Sequence, residues 1–356
     1  MLGDLDRAEG VLAEAEILLD ESNDQEMVAQ IALSSGTLYL MRGEVTEAER
    51  HFSRARAVWE SLGDPTRVAH ALLGMGMCAS AADEGARALG LYRQAADSPG
   101  AAMWVRAAAL NNAGMVRLGE GQYAAAEPLL VQGLTANESE DDRRGIAHCQ
   151  ASLGELHYRL AHLDQARRWI DQALWGAQEI EDPRCLATTS LLSARVNAAQ
   201  GNTDAAQGAF SQAEGYRGLD AEIDALVAVV EAELVATRGT VPPVTDAVVP
   251  DCRKSATCRN AMAEKACLVV ESLLRAGRVP EAQAVLGRAS ACLQQASDRH
   301  LRRHAAWLLA LAQGDPDAAP GPPPDGSEER TIFDVRRAAL LRALDPAVSG
   351  DPCPSP

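Results

Sequence analysis

Gly36–Ala55 reads GTLYLMRGEVTEAERHFSRA, and Gly114–Gly133 reads GMVRLGEGQYAAAEPLLVQG. The two stretches share one frame: a small residue, Gly seven later, Ala twelve later, a large apolar residue sixteen later and a small residue nineteen later. In the first these are Gly36, Gly43, Ala48, Phe52 and Ala55; in the second, Gly114, Gly121, Ala126, Leu130 and Gly133. The frame recurs at Gly76, Asp83, Ala88, Tyr92 and Ala95, at Gly154, Ala161, Ala166, Ile170 and Ala173, and at Ala194, Gly201, Ala206, Phe210 and Ala213. Val270, Gly277, Ala282, Leu286 and Ala289 follow after two periods, with the intervening copy reduced to Ala232 and Gly239. Gly3, Ala8, Leu12 and Ala15 form half a copy at the start, and Trp307, Gly314 and Ala319 begin an incomplete one at the end. The period is 37 to 40 residues.

The frame describes a helical hairpin. Its first small residue lets two helices approach closely. The Gly at plus seven ends the first helix, where a positive φ costs least for Gly. An acidic or polar residue after it helps start the second helix. The residues at plus twelve and plus sixteen lie one turn apart on a common face. One such hairpin cannot bury its apolar face alone, but stacked neighbours can.

This pattern resembles the tetratricopeptide repeat. Gly36, Tyr39, Ala48, Phe52 and Ala55 carry the resemblance most closely, as do Gly154, Ala166 and Ala173, with His157 at the aromatic position. It spans residues 1 to about 314 and is strongest between 28 and 215. The family's usual unit is shorter. Here the surplus follows the second helix, around Asp64-Pro65 and Asp182-Pro183, where Asp serves as N-cap and Pro fits the first turn. A longer second helix and an Asp-Pro restart look like the repeat region of large bacterial regulators. The resemblance implies an all-α fold: a right-handed α-solenoid of stacked antiparallel helix hairpins.

The expected organisation is a solenoid over 1–314 with about eight hairpins, irregular at 239–258, where Pro242, Pro243 and Pro250 oppose a long helix. A Pro/Gly-rich linker at 315–327 follows, then an amphipathic helix at 328–345 that either caps the last hairpin or docks a partner, then a disordered tail at 346–356.

Composition narrows the function. Thirty-three basic against fifty acidic residues give −17, which argues against direct nucleic-acid binding and against an anionic membrane surface. No apolar run reaches a membrane span, and Asp4 and Asp6 stand where an export signal would be basic. The expected setting is the cytoplasm, with free thiols. Cys78, Cys149, Cys185 and Cys292 fall in helices as small buried hydrophobes.

Nothing points to catalysis or a cofactor. There is no Gly-Lys pair, and so no phosphate-binding loop. Gly74-Met75-Gly76-Met77-Cys78-Ala79 matches a loose dinucleotide fingerprint but sits inside a helix in register with the repeat. His300 and His304 are spaced for a shared metal, yet Leu301 replaces the metalloprotease Glu, and the pair reads as two exposed histidines beside Arg302 and Arg303. Cys252, Cys258 and Cys267 are spaced too widely for zinc. The expectation is no enzyme, no cofactor and no metal, with a metal or catalytic protein around Cys252–His304 as a remote alternative.

The tetratricopeptide resemblance puts the first helices of the hairpins on the concave side. Their exposed positions give a partner-binding groove of His70, Leu73, Met77, Asn111, Met115, Leu118, His148, Glu155, Tyr158, Arg159, Thr188 and Arg195, continued by Ala198, Glu233, Glu271 and Arg275. Met and Leu suit an apolar segment, and Arg159 and Arg195 suit a carboxylate. No Lys precedes Lys254, so the lysine–asparagine clamp of chaperone-binding relatives is missing. The function expected is a non-catalytic scaffold that binds a protein or peptide in signalling or transcriptional control. An alternative is the C-terminal part of a regulator with an upstream ATPase, kinase or DNA-binding domain, because the repeat begins in mid-hairpin.

Overall fold

The computed structural model describes residues 7–12, 14–15, 24–242, 256–315 and 331–344. Most of the irregular segment expected at 239–258, nearly all of the Pro/Gly-rich linker and the terminal tail lie outside these. All regular structure among the described residues is helical. The chain forms two compact units.

The first unit takes the described residues of Met1–Leu118 and Ala124–Ser152. Its helices are α1 (Gln25–Met41), α2 (Val45–Leu62), α3 (Pro65–Ala81), α4 (Gly85–Asp97), α5 (Met103–Gly119), α6 (Tyr123–Ser139) and the start of α7 (Arg143–Arg159). Consecutive helices pack antiparallel, α1 on α2, α2 on α3 and α3 on α4, and α1 also touches α3.

The second unit takes Gly119–Tyr123 and the described residues from Leu153 onward, apart from Ala256. It holds the end of α7, then α8 (Leu163–Glu179), α9 (Pro183–Ala199), α10 (Thr203–Glu214), α11 (Ala221–Thr237), α12 (Ala256–Arg275), α13 (Val279–Gln295), α14 (Arg299–Ala312) and α15 (Ile332–Leu344).

Each position of the repeat frame has a physical counterpart. The residue at plus seven takes a positive φ in every copy described: Gly43, Gly121, Gly201 and Gly277, and also the departures Asp83 and Ala161. The left-handed turn is therefore imposed by the hairpin, and two copies adopt it without glycine's freedom. The first small residue receives the large residue at plus sixteen. A Cβ added at Gly36 would come within 2.9 Å of Phe52, at Gly76 within 2.6 Å of Tyr92, at Gly114 within 2.5 Å of Leu130 and at Gly154 within 2.9 Å of Ile170. Phe52 also meets Gly74 of the next hairpin. One aromatic thus seals two layers, and its burial contributes about 2–3 kcal/mol. This is how a chain poor in aromatics fills its core: Ala48, Ala55, Ala88, Ala166 and Ala206 are fully buried beside such anchors.

The restarts behave as their sequence suggests. Asp64 accepts the Arg67 amide at 3.0 Å, and Asp182 accepts those of Arg184 and Cys185, each with Pro in the first turn. The polar residues that open the second helices, Glu44, Glu84, His162 and Asn202, make no such capping bond. The acidic ones place their charge beside the helix N-terminus.

Candidate partner-binding site

The first-helix faces of the two units differ in chemistry. In the first unit the face is apolar. Met77 on α3 and Met115 on α5 are exposed, as is Trp104, which meets His70 edge-on at 4.7 Å between ring centres. Burial holds the His70 imidazole below its ordinary value, so it stays neutral. Asn111 lies on the same side of α5 as Met115, one helical turn away. Its side-chain Oδ1 is buried and has no hydrogen-bond partner. A buried unpaired carbonyl costs about 1–3 kcal/mol. His148 is half-buried, and Leu73 and Leu118 are buried in the core.

In the second unit the face is charged and covered. Tyr158 and Arg195, expected at an open groove, are buried. The Tyr158 hydroxyl donates to Glu233 at 3.2 Å, and Arg195 lies over the Tyr158 ring at 4.6 Å. Arg195 donates to Glu233 at 2.9 Å and also to Glu264. Arg159 binds Glu155 at 2.7 Å and Glu264 at 3.2 Å. Arg336 of α15 completes the group, reaching Glu271 at 2.6 Å and Glu264 at 3.2 Å. His304 meets Glu271 at 2.7 Å, and Arg275 touches its edge at 3.9 Å. Thr188 is outside this cluster, with its hydroxyl bonded to the Arg184 carbonyl one turn back.

Burial raises the Glu264 carboxyl, but Arg159, Arg195 and Arg336 outweigh it and hold the group at about 2. Glu271 is likewise pushed up by burial, and Arg336 and His304 bring it to about 2. Both are carboxylates at neutral pH. Burial lowers the His304 pKa despite Glu271, so this imidazole is neutral. Its Nε2–H then donates to the carboxylate.

Three members of this cluster, Glu264, His304 and Arg336, are not among the groove positions expected from sequence. A signal for Glu264 and Glu271 does exist: they stand seven residues apart on one face of a helix whose neighbouring positions are mostly apolar, AMAEKACLVVES. Isolated acids at core spacing mark a buried ion site.

The histidines of HLRRH need correcting, because both are buried rather than exposed. His300 stacks on Tyr123 at 4.9 Å and faces the Gly121 carbonyl at 3.1 Å, while His304 turns to Glu271. They serve separate contacts. Among the described residues no three His, Cys, Asp or Glu side chains are grouped to hold a metal. Cys78, Cys149 and Cys185 are buried free thiols, and burial pushes Cys78 and Cys149 up to about 12, out of the nucleophilic range at neutral pH. Cys292 is buried too, but it is disulfide-bonded and not the free thiol expected. No described helix is long and apolar enough to cross a membrane.

Residues 27–98 match the tetratricopeptide repeat family. No curated protein matches the chain by sequence. Two solved structures share its fold. The apo form of RapI is 16% identical, with a TM-score of 0.54 over 66% of this chain and 85% of its own. A Rap protein complexed with competence and sporulation factor is 14% identical, with a TM-score of 0.57 over 88% of this chain and 94% of its own. The chain carries tetratricopeptide repeats within an all-α, TPR-like solenoid fold.

Proposed function

We propose that this chain is a non-catalytic scaffold that binds a protein or peptide, and that it acts as a regulatory module in bacterial signalling or transcriptional control. The binding face is the apolar first-helix face of the first unit. The observation that carries this reading is the exposure of Met77 and Met115 together with the unpaired Oδ1 of Asn111, one turn before Met115. Flexible methionines adapt to an apolar side chain, and the amide oxygen accepts from a ligand backbone N–H, relieving its own desolvation cost. An extended segment or an amphipathic helix suits such a face. A Rap protein of similar fold is described in complex with a factor, which supports the binding class but not the partner.

The test is selection of binders from a displayed random-peptide library on the full chain. Enriched peptides should carry large apolar residues and lose at least tenfold in affinity against Asn111→Ala and Met115→Glu. Peptides that bind both variants as well as the unaltered chain would place the binding face elsewhere.

A further inference from the structure

We propose that the first-helix face of the second unit is a helix-binding site whose ligand is built into the chain, with α15 as its reversible occupant. Three observations meet here. The first is the form of the contact. Ile332 and Phe333, then Arg336 and Arg337, then Leu340 follow the spacing of a helix laid on a receptor by one face. Ile332, Phe333 and Leu340 are buried in the core with Tyr158, Leu273, Leu301 and Leu308. Phe333 sits against the His304 ring at 5.7 Å and the Arg159 guanidinium at 5.7 Å. Arg337 lies over Trp307 at 5.3 Å. The grip ends there, because Leu341 and Leu344 are exposed.

The second observation is charge. Without α15, the four carboxylates Glu155, Glu233, Glu264 and Glu271 face two buried guanidiniums, Arg159 and Arg195, and the more exposed Arg275. Among the described residues these ion-paired groups are then one positive charge short, at the point where Arg336 enters. It therefore selects an arginine-bearing helix over an apolar one, and the planar fork of Arg matches two carboxylates at once.

The third is the connection. Residues 316–330 hold five Pro and two Gly, and apart from the prolines Ala318 and Ala319 are their only apolar side chains. The covalent link keeps α15 at a high local concentration whether or not it is docked, and this composition offers few large apolar side chains to fix it. Part of the hold on α15 is a buried ion group, which is weaker than an apolar contact of the same size. The helix can therefore leave and return, and a helix with the same aromatic and arginine anchors can take its place.

A labelled peptide of sequence TIFDVRRAALLRAL, matching 331–344, serves as probe for the full chain. In the unaltered chain α15 competes in cis and the peptide binds weakly. In a full chain carrying Phe333→Ala and Arg336→Ala the site is vacated, and the peptide should bind at least tenfold tighter. A peptide with Arg336→Ala should bind neither chain. Equal peptide affinity for both chains, or affinity that ignores Arg336, overturns the proposal. Hydrogen exchange on the unaltered chain gives an answer that does not depend on the variant folding. The α15 amides should exchange at least tenfold faster than those of α12 and α14; exchange of α15 in step with α12 makes it a fixed part of the core.

Discussion

The two units are built from one repeat frame, yet their first-helix faces are opposites. In the first unit the face is thioether and aromatic, open, and holds one unpaired amide oxygen. In the second it is an ion cluster sealed by α15. The frame positions between helices are filled by mostly small residues in both. The difference lies entirely at positions the frame leaves free. A repeat therefore fixes how helices stack while leaving each face to be apolar or charged, empty or filled. A buried cluster of this kind is costly to assemble and costly to break at one member.

Removing one member should produce the largest effect. Glu264 is shared by Arg159, Arg195 and Arg336. Glu264→Ala leaves three buried guanidiniums short of a carboxylate, and the second unit should lose about 3–5 kcal/mol. Urea unfolding followed by hydrogen exchange reads the two units separately. A loss below about 1 kcal/mol would mean that the cluster is hydrated and open.

Acid should separate the units next. Glu264 and Glu271 titrate near 2 when folded, against an ordinary value of 4.5. Their stabilisation is complete above the unfolded value and is lost as pH falls from there toward 2, up to about 3 kcal/mol for each carboxyl. His304 acts in the same direction. Its folded pKa is lowered, so the unfolded chain takes up the proton first and stability starts to fall below the ordinary imidazole range. His70 gives the first unit one such term, with no buried glutamate among its described residues to match. The second unit should unfold at the higher pH, as circular dichroism and exchange at stepped pH will show.

How much of this could be read from sequence depends on distance along the chain. The turn at plus seven and the contact at plus sixteen lie within one hairpin, so a single copy encodes both. Ala161 and Asp83 were legible as turns although neither is Gly. The cluster is different: Arg159 and Glu264 are 105 residues apart, and Arg336 arrives from beyond a Pro-rich segment. Groove positions derived from the repeat alone treat every copy as unoccupied. Tyr158 and Arg195 thus looked exposed because nothing local announces α15 as their cover.

Packing substitutions in the first unit should cost less than breaking the cluster. Gly76→Ala puts a methyl group 2.6 Å from the Tyr92 ring, which is itself buried. The ring must shift and the helices must part, at about 1–3 kcal/mol. Asp64→Ala and Asp182→Ala remove N-caps and should each cost about 1 kcal/mol. Thermal melting of the single variants checks this order. If Gly76→Ala melts like the unaltered chain, close approach is not what the frame's first position encodes.

The smallest effect on stability should fall on the open face. Met77 and Met115 are 40% and 37% exposed, so Met77→Glu and Met115→Glu exchange half-solvated thioethers for solvated carboxylates. Surface changes away from packed cores stay within about 0.5 kcal/mol. A substitution on a closed face would do far more, as Glu264→Ala should in the other unit. Near-neutral stability combined with loss of peptide capture is the signature of a face shaped for a ligand. Unfolding by either variant would instead mean that this face, like that of the second unit, is already covered by the chain itself. Differential scanning fluorimetry run beside the peptide selection separates the two outcomes, because a face kept open for a partner can lose binding without losing fold.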